Sequence, residues 1–273
     1  MAILHMVLGS KGGIGKTLIA SSLAQFINSA RPDRPAICYD ADPTNAALTH
    51  VSALNVKFLE GIFVEGEVMK EGFDPFVDKI CAPDTAPDDI YIIDTGSNVY
   101  APLVSFLKDT RIFELLAEHG NHTALHIPIS GGDEYETTLE CFGALCEVFA
   151  EAPVKIVPWI NEFHGTAKSP DGIPFEKSET AKKYGKRFDT IMAIPAWSPE
   201  IRRVVAELFK AKETFAEGAA KHENQILVRQ RILVAQREIF ANISNSRVCE
   251  PSFFGADAAA PSAANKKEAR NAR

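Results

Sequence analysis

The chain has 273 residues, of which 46% are hydrophobic and 24% are charged, and its formal net charge is −7. This composition is ordinary for a globular protein of one large domain or two small ones. It argues against a surface built throughout for nucleic acid, while leaving open a local basic patch. The first residues lack a basic segment followed by a long apolar stretch, and no apolar run approaches about 18 residues. We therefore expect a cytoplasmic protein without a secretory signal or a membrane span.

The cysteines number five, an odd count, and none of them forms a C-x-x-C pair. In a cytoplasmic protein this pattern favours reduced thiols, buried or partly buried, over a metal or redox site. The residues concerned are Cys38, Cys81, Cys141, Cys146 and Cys249. We expect no disulfide framework from them.

Short apolar runs alternate with longer segments of helical periodicity, which predicts βαβ units around a parallel sheet. The predicted strands are residues 3–8, 36–39, 90–93, 123–129, 154–160 and 190–194. The predicted helices are residues 16–28, 101–118, 134–149, 199–210 and 223–240. Ser198 is the expected N-cap of the fourth helix, with Pro199 at its first position. The expected fold class is α/β, with a single doubly wound, mostly parallel sheet flanked by helices.

Three segments outside the predicted strands bear on domain organisation. Residues 162–188 are polar and contain glycines, which predicts a lid or a partner surface rather than core. The amphipathic helix 223–240 favours packing onto the domain, with a partner or membrane surface as the alternative. The end of the chain is poor in large apolar residues and has a basic terminus, which predicts a disordered tail. We therefore expect one domain over residues 1–245 and a tail over residues 246–273.

A glycine-rich segment, GSKGGIGKT at residues 9–17, lies between the first predicted strand and the first predicted helix. Glycines let the backbone wrap closely around a phosphate, and the amides at a helix N-terminus favour an anion. The pattern G-x-x-x-x-G-K-[ST] has glycine where this chain has Ser10, but the turn needs glycine only from residue 12 onward. Lys16 is expected at the β- and γ-phosphates and Thr17 on Mg²⁺. The expected cradle residues are Gly12, Gly13 and Gly15.

Aspartates follow two of the predicted strands. Asp40 and Asp42 come directly after the second strand, which Pro43 ends, and Asp94 follows the third. Ligands of open α/β sheets bind beyond the carboxyl ends of the strands, so we expect these carboxylates near the phosphate loop. Carboxylates at such a site hold the metal's water shell and orient an attacking water. A solvated turn is the alternative for the first pair.

The sequence KGGIGKT, residues 11–17, resembles the deviant Walker A motif of the ParA/MinD family of P-loop ATPases. In that family the first lysine crosses a dimer interface and touches the phosphates bound by the partner subunit. The resemblance implies that Lys11 makes dimerisation depend on ATP and joins Lys16 in catalysis. A solvated surface lysine is the alternative for Lys11. The segment DADP is similar to the family's first switch, which implies a water-positioning, catalytic role for Asp42 and a metal-side role for Asp40.

The strand IYIID resembles a Walker B strand, which implies that Asp94 binds a metal-bound water and that Gly96 offers an amide to the γ-phosphate. The family usually has proline after this aspartate, whereas this chain has TGS. Across roughly residues 2–242 the chain is similar to the TraL-type conjugal transfer proteins, relatives of plasmid-stability ATPases, which have the same continuation. Further stretches that carry this resemblance are ISGG, WINEFHG and ILVRQRILVAQREIF.

The resemblance also implies contacts with the nucleotide base. Asn161 lies where the family has a base-contacting asparagine, and a side-chain amide matches the N6/N7 edge of adenine. A loop-capping role is the alternative for Asn161. Residues 195–197 resemble the family's second base-flanking loop, so Pro195 and Trp197 are expected to pack on the nucleotide. The complete set of nucleotide-binding residues implied is Lys11, Gly12, Gly13, Ile14, Gly15, Lys16, Thr17, Leu18, Gly96, Asn161 and Pro195.

These features imply an ATPase that uses ATP and Mg²⁺, forms a nucleotide-dependent homodimer and serves plasmid conjugal transfer or plasmid stability. Hydrolysis is expected to be slow and stimulated by a plasmid-encoded protein partner. DNA binding, directly or through that protein, stays open, with a solvated charged surface as the favoured alternative. The candidate contacts are Arg202, Arg203 and Lys210 on one predicted helix and Lys266, Lys267, Arg270 and Arg273 in the tail. A membrane surface is less favoured. Two alternatives stay open: a nucleotide-bound scaffold with negligible turnover, and a metabolic P-loop enzyme, which leaves Lys11 unexplained.

Overall fold

A parallel sheet forms the centre of the protein, whose computed structural model describes residues 1–64 and 67–255. The strands in these residues are β1 (Ile3–Val7), β2 (Ile37–Ala41), β3 (Lys57–Phe58), β4 (Phe63–Val64), β5 (Glu67–Val68), β6 (Ile90–Thr95), β7 (His122–Ser130), β8 (Lys155–Asn161) and β9 (Met192–Ile194). Seven of these described strands form one sheet in the order β3-β2-β6-β1-β7-β8-β9, and every neighbouring pair is parallel. Strands β4 and β5 form a separate antiparallel hairpin.

Helices cover both faces of this sheet. Within the described residues they are α1 (Lys16–Ala30), α2 (Asp74–Cys81), α3 (Tyr100–Asp109), α4 (Ile112–Glu118), α5 (Tyr135–Val148), α6 (Glu179–Tyr184), α7 (Pro199–Ala211), α8 (Phe215–Lys221) and α9 (Ile226–Ser246). The predicted N-cap of α7 is confirmed, because the Ser198 hydroxyl accepts from the backbone N–H of Ile201. The predicted fold class is also confirmed.

Alternation along the strands divides the core into two layers. In β1, Leu4 and Met6 lie in the layer covered by α2 to α6, whereas Ile3 and Val7 lie in the layer covered by α1 and α7 to α9. Successive side chains of a strand point to opposite faces, so a strand buried on both faces is predominantly apolar. This explains why the predicted strands are continuous apolar runs.

The strand order places the functional edge of the sheet. Strand β1 lies between β6 and β7, so the chain moves to one side of β1 for β2, β3 and β6 and to the other side for β7, β8 and β9. Such a change of direction opens a crevice at the carboxyl ends of the strands, where open α/β sheets bind ligands. The phosphate loop follows β1 and opens α1, which puts it at this crevice.

The helices and strands on either side of β6 differ from the sequence-based expectation. The predicted helix 101–118 is two helices, because Arg111 has a left-handed backbone with φ 51° and separates α3 from α4. The break has no glycine or proline, the residues that usually reveal one. The segment between β2 and β6 contains β3 and α2, which were not predicted because their apolar runs are short. The side chains of α2 still reach the core, as Phe76 shows, whereas both residues of β3 are exposed.

The segment 162–188, predicted to be a lid or a partner surface, is mostly exposed but is anchored in the core at a few positions. Phe175 is fully buried and packs edge-on against Phe142 of α5, with ring centroids 5.4 Å apart. Ala181 of α6 lies in the same core layer. A few apolar side chains at wide spacing therefore anchor a mostly polar and exposed segment, and its role as a lid or a partner surface stays a prediction.

The chain also continues in ordered form past residue 245, where the predicted tail begins. Val248 is fully buried, and the ring of Phe254 stacks on His122 with centroids 4.8 Å apart. The rest of the predicted tail, residues 256–273, lies outside the described residues. Helix α9 packs onto the domain through Ile232 and Ile239, as the favoured alternative expects. Among the helices that the structure describes up to residue 255, none combines the length and apolar character needed to cross a bilayer.

Three polar side chains form a hydrogen-bonded row inside the core, on β1, β7 and β8. The Nε1 of Trp159 donates to Nδ1 of His126 at 2.8 Å, and Nε2 of His126 lies 2.9 Å from Nδ1 of His5. An indole nitrogen is only a donor, so His126 carries its proton on Nε2 and donates to His5. Burial lowers the pKa of His5 to about 3, and burial together with the neighbouring His5 lowers the pKa of His126 well below its usual value. Both rings are therefore neutral in the folded protein.

The two histidines predict a loss of stability in mild acid. An unfolded histidine has a pKa of about 6.5, so below that pH the unfolded chain binds more protons than the folded chain. The stabilisation is fully present above pH 6.5 and declines by about 1.4 kcal/mol per pH unit for each histidine below it. In His5→Asn, which retains an acceptor near the position of Nδ1, the slope of unfolding free energy against pH should fall by about that amount. Urea unfolding at several values between pH 7.5 and 5 measures it.

The matched control is His50→Asn, because His50 is exposed. Its slope should equal that of the unchanged protein. Equal slopes for His5→Asn and the unchanged protein would show that His5 is not a buried neutral ring.

Candidate nucleotide-binding site

The phosphate loop is shaped by glycines at two positions. Gly13 and Gly15 have positive φ values of 75° and 95°. A side chain at residue 15 would also lie 2.6 Å from Nδ2 of Asn161. Gly15 is the N-cap of α1, so the loop turns directly into the helix whose free amides favour an anion. Ser10 stands at neither of these positions, which explains why it is compatible with the loop.

Lys16 is buried at the base of this loop. Its Nζ donates to the backbone oxygen of Lys11 at 2.6 Å, so the side chain folds back along the loop. Burial lowers the pKa of Lys16, and the nearby charges of Asp94 and Asp42 oppose that effect. A buried ammonium whose one hydrogen-bond partner is a neutral carbonyl favours the approach of an anion.

Thr17 and Asp94 meet beside the loop. The Thr17 hydroxyl donates to Oδ2 of Asp94 at 2.6 Å, while Oδ1 of Asp94 is buried and has no hydrogen-bond partner among the described residues. Burial raises the pKa of Asp94 to about 7, with the charge of Asp40 adding to the effect and the Thr17 hydrogen bond opposing it. A hydroxyl and a carboxylate with a free oxygen are hard ligands of the type that Mg²⁺ takes. The residues present therefore fit a magnesium ion.

Asp42 lies at the edge of the same site. Its Oδ1 accepts from the backbone N–H groups of Thr44 and Asn45 and from the Thr44 hydroxyl, at 2.8–3.1 Å. The backbone of Gly96 approaches so closely that a side chain there would lie 2.6 Å from Cγ of Asp42. Asp42 and Gly96 are therefore neighbours, as the sequence predicts.

Asp40 supports the segment that follows β2. Its carboxylate is fully buried, and both oxygens are used by the chain that follows β2. Oδ1 accepts from Asp42 N at 2.9 Å, and Oδ2 accepts from Leu48 N, Thr49 N and the Thr49 hydroxyl at 3.0–3.2 Å. Three donors on Oδ2 and one on Oδ1 thus engage this carboxylate within the chain. These contacts show that Asp40 holds segment 42–49, and with it Asp42, in place; the metal-side role stays a prediction.

Lys11 points away from the phosphate loop in this structure. Its Nζ lies 3.4 Å from Oε2 of Glu134, in a pair whose side chains are 47% and 40% exposed. Glu134 follows two glycines that are themselves fixed, because Gly131 N donates to Asn161 O and Gly132 N donates to Thr166 O. This loop carries the ISGG sequence, and the segment that it contacts carries NEFHG. The backbone hydrogen bonds between these two segments thus fix the loop that carries Glu134, the partner of Lys11.

Asn161 is used within the protein. Its Nδ2 donates to the backbone oxygen of Ile14 at 2.9 Å, and its Oδ1 accepts from Phe163 N at 3.0 Å. This is the loop-capping alternative, in which the amide fixes the phosphate loop. Pro195 is half-buried and lines neither of the cavities at the loop. Trp197 is buried in the core, where its Nε1 donates to Glu238 of α9, so it does not pack on a ligand.

Two cavities flank the phosphate loop. The larger has a volume of about 520 Å³ and is lined by the loop, by segment 42–51 and by the end of α7. The smaller, of about 260 Å³, lies on the other side of the loop and has a mostly apolar lining that includes Phe163 and Val205. Leu18 and Phe209 line both. The lining residues on α7 come from a distant part of the sequence, so no local pattern predicts them.

The parallel sheet, the glycine loop that opens α1 and the pair formed by Thr17 and Asp94 define the class of P-loop nucleotide-binding α/β proteins. Protein TraL of Escherichia coli is 34% identical to the chain over 251 residues, which are 91% of this chain and 100% of that protein. Another Protein TraL of E. coli is 31% identical over 249 residues, with coverage of 91% and 100%. The chain therefore belongs to the TraL family, which confirms the resemblance seen in the sequence. A comparison with models of protein families gives no match.

Solved structures with a similar shape include the MinC:MinD cell division protein complex of Aquifex aeolicus. That chain has 13% identity and a TM-score of 0.46, and the match covers 88% of this chain and 96% of that one. A protein of Borrelia burgdorferi B31 assigned to plasmid partition and bound to AMPPNP has 12% identity, a TM-score of 0.43 and coverage of 86% and 98%. At these values the likeness does not extend to the roles of residues.

The supporting role of Asp40 predicts that Asp40→Asn loosens segment 42–49. An asparagine side chain has one oxygen, so at least one set of backbone donors loses its acceptor. Hydrogen bonds to a charged group contribute about 1.5–3 kcal/mol each, and the free energy of unfolding should fall by about that amount. Urea unfolding measures the loss, and limited proteolysis within 42–49 should become faster.

Asp33→Asn is the control, since Asp33 is exposed, and it should leave both measurements unchanged. If Asp40→Asn behaves like this control, Asp40 does not hold the segment.

Proposed function

We propose that the chain binds ATP with Mg²⁺, forms a dimer when ATP is bound and hydrolyses ATP slowly, as a ParA/MinD-like switch. The observation that carries this proposal is the meeting of Lys16, Thr17 and Asp42 at the phosphate loop and its larger cavity, with Asp94 hydrogen-bonded to Thr17 behind them. Membership of the TraL family supports a role in plasmid transfer or stability. The protein partner would be plasmid-encoded, with DNA as a second partner.

Each residue of the site has a chemical task in this proposal. Lys16 would exchange the Lys11 carbonyl for phosphate oxygens, which are stronger acceptors. Thr17 and Asp94 would hold Mg²⁺, directly or through its water, and the ion supplies positive charge against the phosphates. Asp42 would orient the attacking water through Oδ2, since its Oδ1 is held by the turn. Asp40 keeps Asp42 at that position.

The smaller cavity offers a place for the base. Its apolar lining suits a purine ring, and it adjoins the larger cavity at Leu18 and Phe209. A nucleotide with its phosphates on the loop would therefore place its base in the smaller cavity directly. In this arrangement Asn161 supports the loop and also lines the smaller cavity, so a contact between its second amide N–H and the base stays part of the proposal.

The role proposed for Lys11 requires it to leave Glu134. Two triphosphates facing each other across a dimer carry strong like charge, and a lysine from each subunit would offset it. In the single chain the pair with Glu134 keeps Lys11 at its own surface. Dimer formation then competes with an exposed ion pair, which contributes about 0–1 kcal/mol.

Nucleotide binding and turnover are tested by two substitutions. Lys16→Ala should abolish binding of a fluorescent ATP analogue, because the phosphates lose their buried cation. Asp42→Ala should retain binding and lower phosphate release by on the order of 100-fold, because the water is no longer oriented. Isothermal titration and a phosphate-release assay provide the measurements.

The control substitution is Lys177→Ala, at an exposed lysine away from both cavities. If the unchanged chain releases phosphate no faster than Lys16→Ala, even with DNA present, the proposed ATPase activity is contradicted and the nucleotide-bound scaffold is favoured.

Dimerisation is tested at the ion pair of Lys11. Lys11→Ala should keep ATP binding and lose the dimer formed with a non-hydrolysable ATP analogue. Glu134→Gln should strengthen that dimer by up to about 30-fold, because two competing pairs, one in each subunit, contribute no more than about 1 kcal/mol each. Light scattering after size exclusion, over a range of concentrations, gives the dissociation constants.

The control is Glu136→Gln, which removes an exposed carboxylate from the first turn of α5, the helix that Glu134 precedes. This variant should leave the dimer unchanged. A dimer of unchanged strength in Lys11→Ala would overturn the cross-subunit role.

A further inference from the structure

Two lysines at the end of α7 line the larger cavity together with the phosphate loop. Lys210 is exposed and Lys212 is half-buried. Among the described residues, neither forms an ion pair. The cavity is thus lined by three lysines, counting Lys16, and by one carboxylate, that of Asp42. The excess of positive charge favours an anionic ligand.

Neighbouring acidic residues do not neutralise this end of the helix. Glu207 lies 3.9 Å from Arg203, and Glu213 lies 2.6 Å from Lys221. Both glutamates are therefore engaged by other cations, although they stand within a few residues of the two lysines in the sequence.

Helix stabilisation alone does not account for both lysines. A cation in the last turn interacts favourably with the helix dipole, which is sufficient for Lys210. Lys212 lies beyond the last helical residue and has a left-handed backbone with φ 60°. Glycine or asparagine is the usual residue at such a position. A lysine there suggests that its side chain has a task in the cavity.

The turn that carries these lysines is fixed relative to the phosphate loop. Thr214 and Glu217 form a capping box at the start of α8, directly after the turn. The backbone N–H of Phe215 donates to Oε1 of Gln25 on α1 at 2.8 Å, and Nε2 of Gln25 donates to the Ser21 hydroxyl at 2.9 Å. Helix α1 begins at the phosphate loop, so this buried connection sets the distance between the loop and the turn.

We propose that Lys210 and Lys212 form a second cationic wall that contacts the polyphosphate of the bound nucleotide. This role rests on the proposed nucleotide site. A nucleotide with its base in the smaller cavity and its terminal phosphate at Lys16 passes Leu18 and Phe209, which line both cavities. Lys210 follows Phe209 directly, so the two lysines stand beside the phosphate chain. A nucleic-acid backbone is less suited to them, because they line a concave cavity shared with the phosphate loop.

The test compares ligands that differ in the number of phosphates. The double variant Lys210→Gln/Lys212→Gln should bind a non-hydrolysable ATP analogue about tenfold more weakly than the unchanged chain, in the presence of Mg²⁺. Binding of adenosine should be unchanged, because adenosine has no phosphate. Lys210→Arg/Lys212→Arg should restore the affinity for the analogue. Isothermal titration calorimetry measures all of these, and thermal melting checks that each variant is folded.

Lys108→Gln/Lys177→Gln is the matched control, with the same change of charge at two exposed lysines that line neither cavity at the loop. Failure of the unchanged chain to bind the analogue would overturn the proposed nucleotide site itself. Normal binding by the unchanged chain and by the Gln double variant alike would overturn only the role of the two lysines. If the Gln double variant loses as much affinity for adenosine as for the analogue, or loses affinity only for a short DNA duplex, the role of the two lysines is overturned as well.

Discussion

The carboxylate of Asp94 is the group on which the arrangement of the site depends. It is buried, it receives a hydrogen bond from Thr17 on one oxygen, and its other oxygen has no partner among the described residues. A buried charge is costly unless it is paired, and the charge of Asp40 on the next strand adds to that cost. A cation at this position offsets both contributions. The proposed Mg²⁺ would be such a cation, and a ligand that brings one would have an advantage over a bare anion.

The sheet explains why these groups meet. Asp40 and Asp94 are partners in the parallel register of β2 and β6, and β1, which leads into the phosphate loop, lies on the other side of β6. Each strand therefore delivers one part of the site at its carboxyl end. Buried hydrogen bonds then hold the connecting segments: Asp40 fixes the chain after β2, and Asn161 fixes the phosphate loop. These supports are engaged within the protein, and Lys16, Thr17 and Asp94 are the groups proposed to meet a ligand.

The sequence predicts the parts of this site that depend on local pattern. Glycine spacing reveals the phosphate loop, and apolar runs reveal most of the strands, because these signals arise within about ten neighbouring residues. The roles of Asp40 and Asn161 depend on which backbone groups fold over them, and residue type alone does not show this. Trp197 and Phe175 were misplaced for a similar reason, since their burial is decided by helices distant in the sequence. Lys210 and Lys212, at the end of α7, reach the cavity only because α7 and α8 pack against α1.

The proposed role of Asp94 is tested most directly by the effect of Mg²⁺ on nucleotide binding. Calorimetric titration with a non-hydrolysable ATP analogue should show an affinity at least about tenfold higher in Mg²⁺ than in EDTA, since the ion neutralises both Asp94 and the phosphates. In Asp94→Asn the affinity should no longer depend on Mg²⁺. Equal affinities in Mg²⁺ and EDTA for the unchanged chain, or a full magnesium effect in Asp94→Asn, would contradict the account.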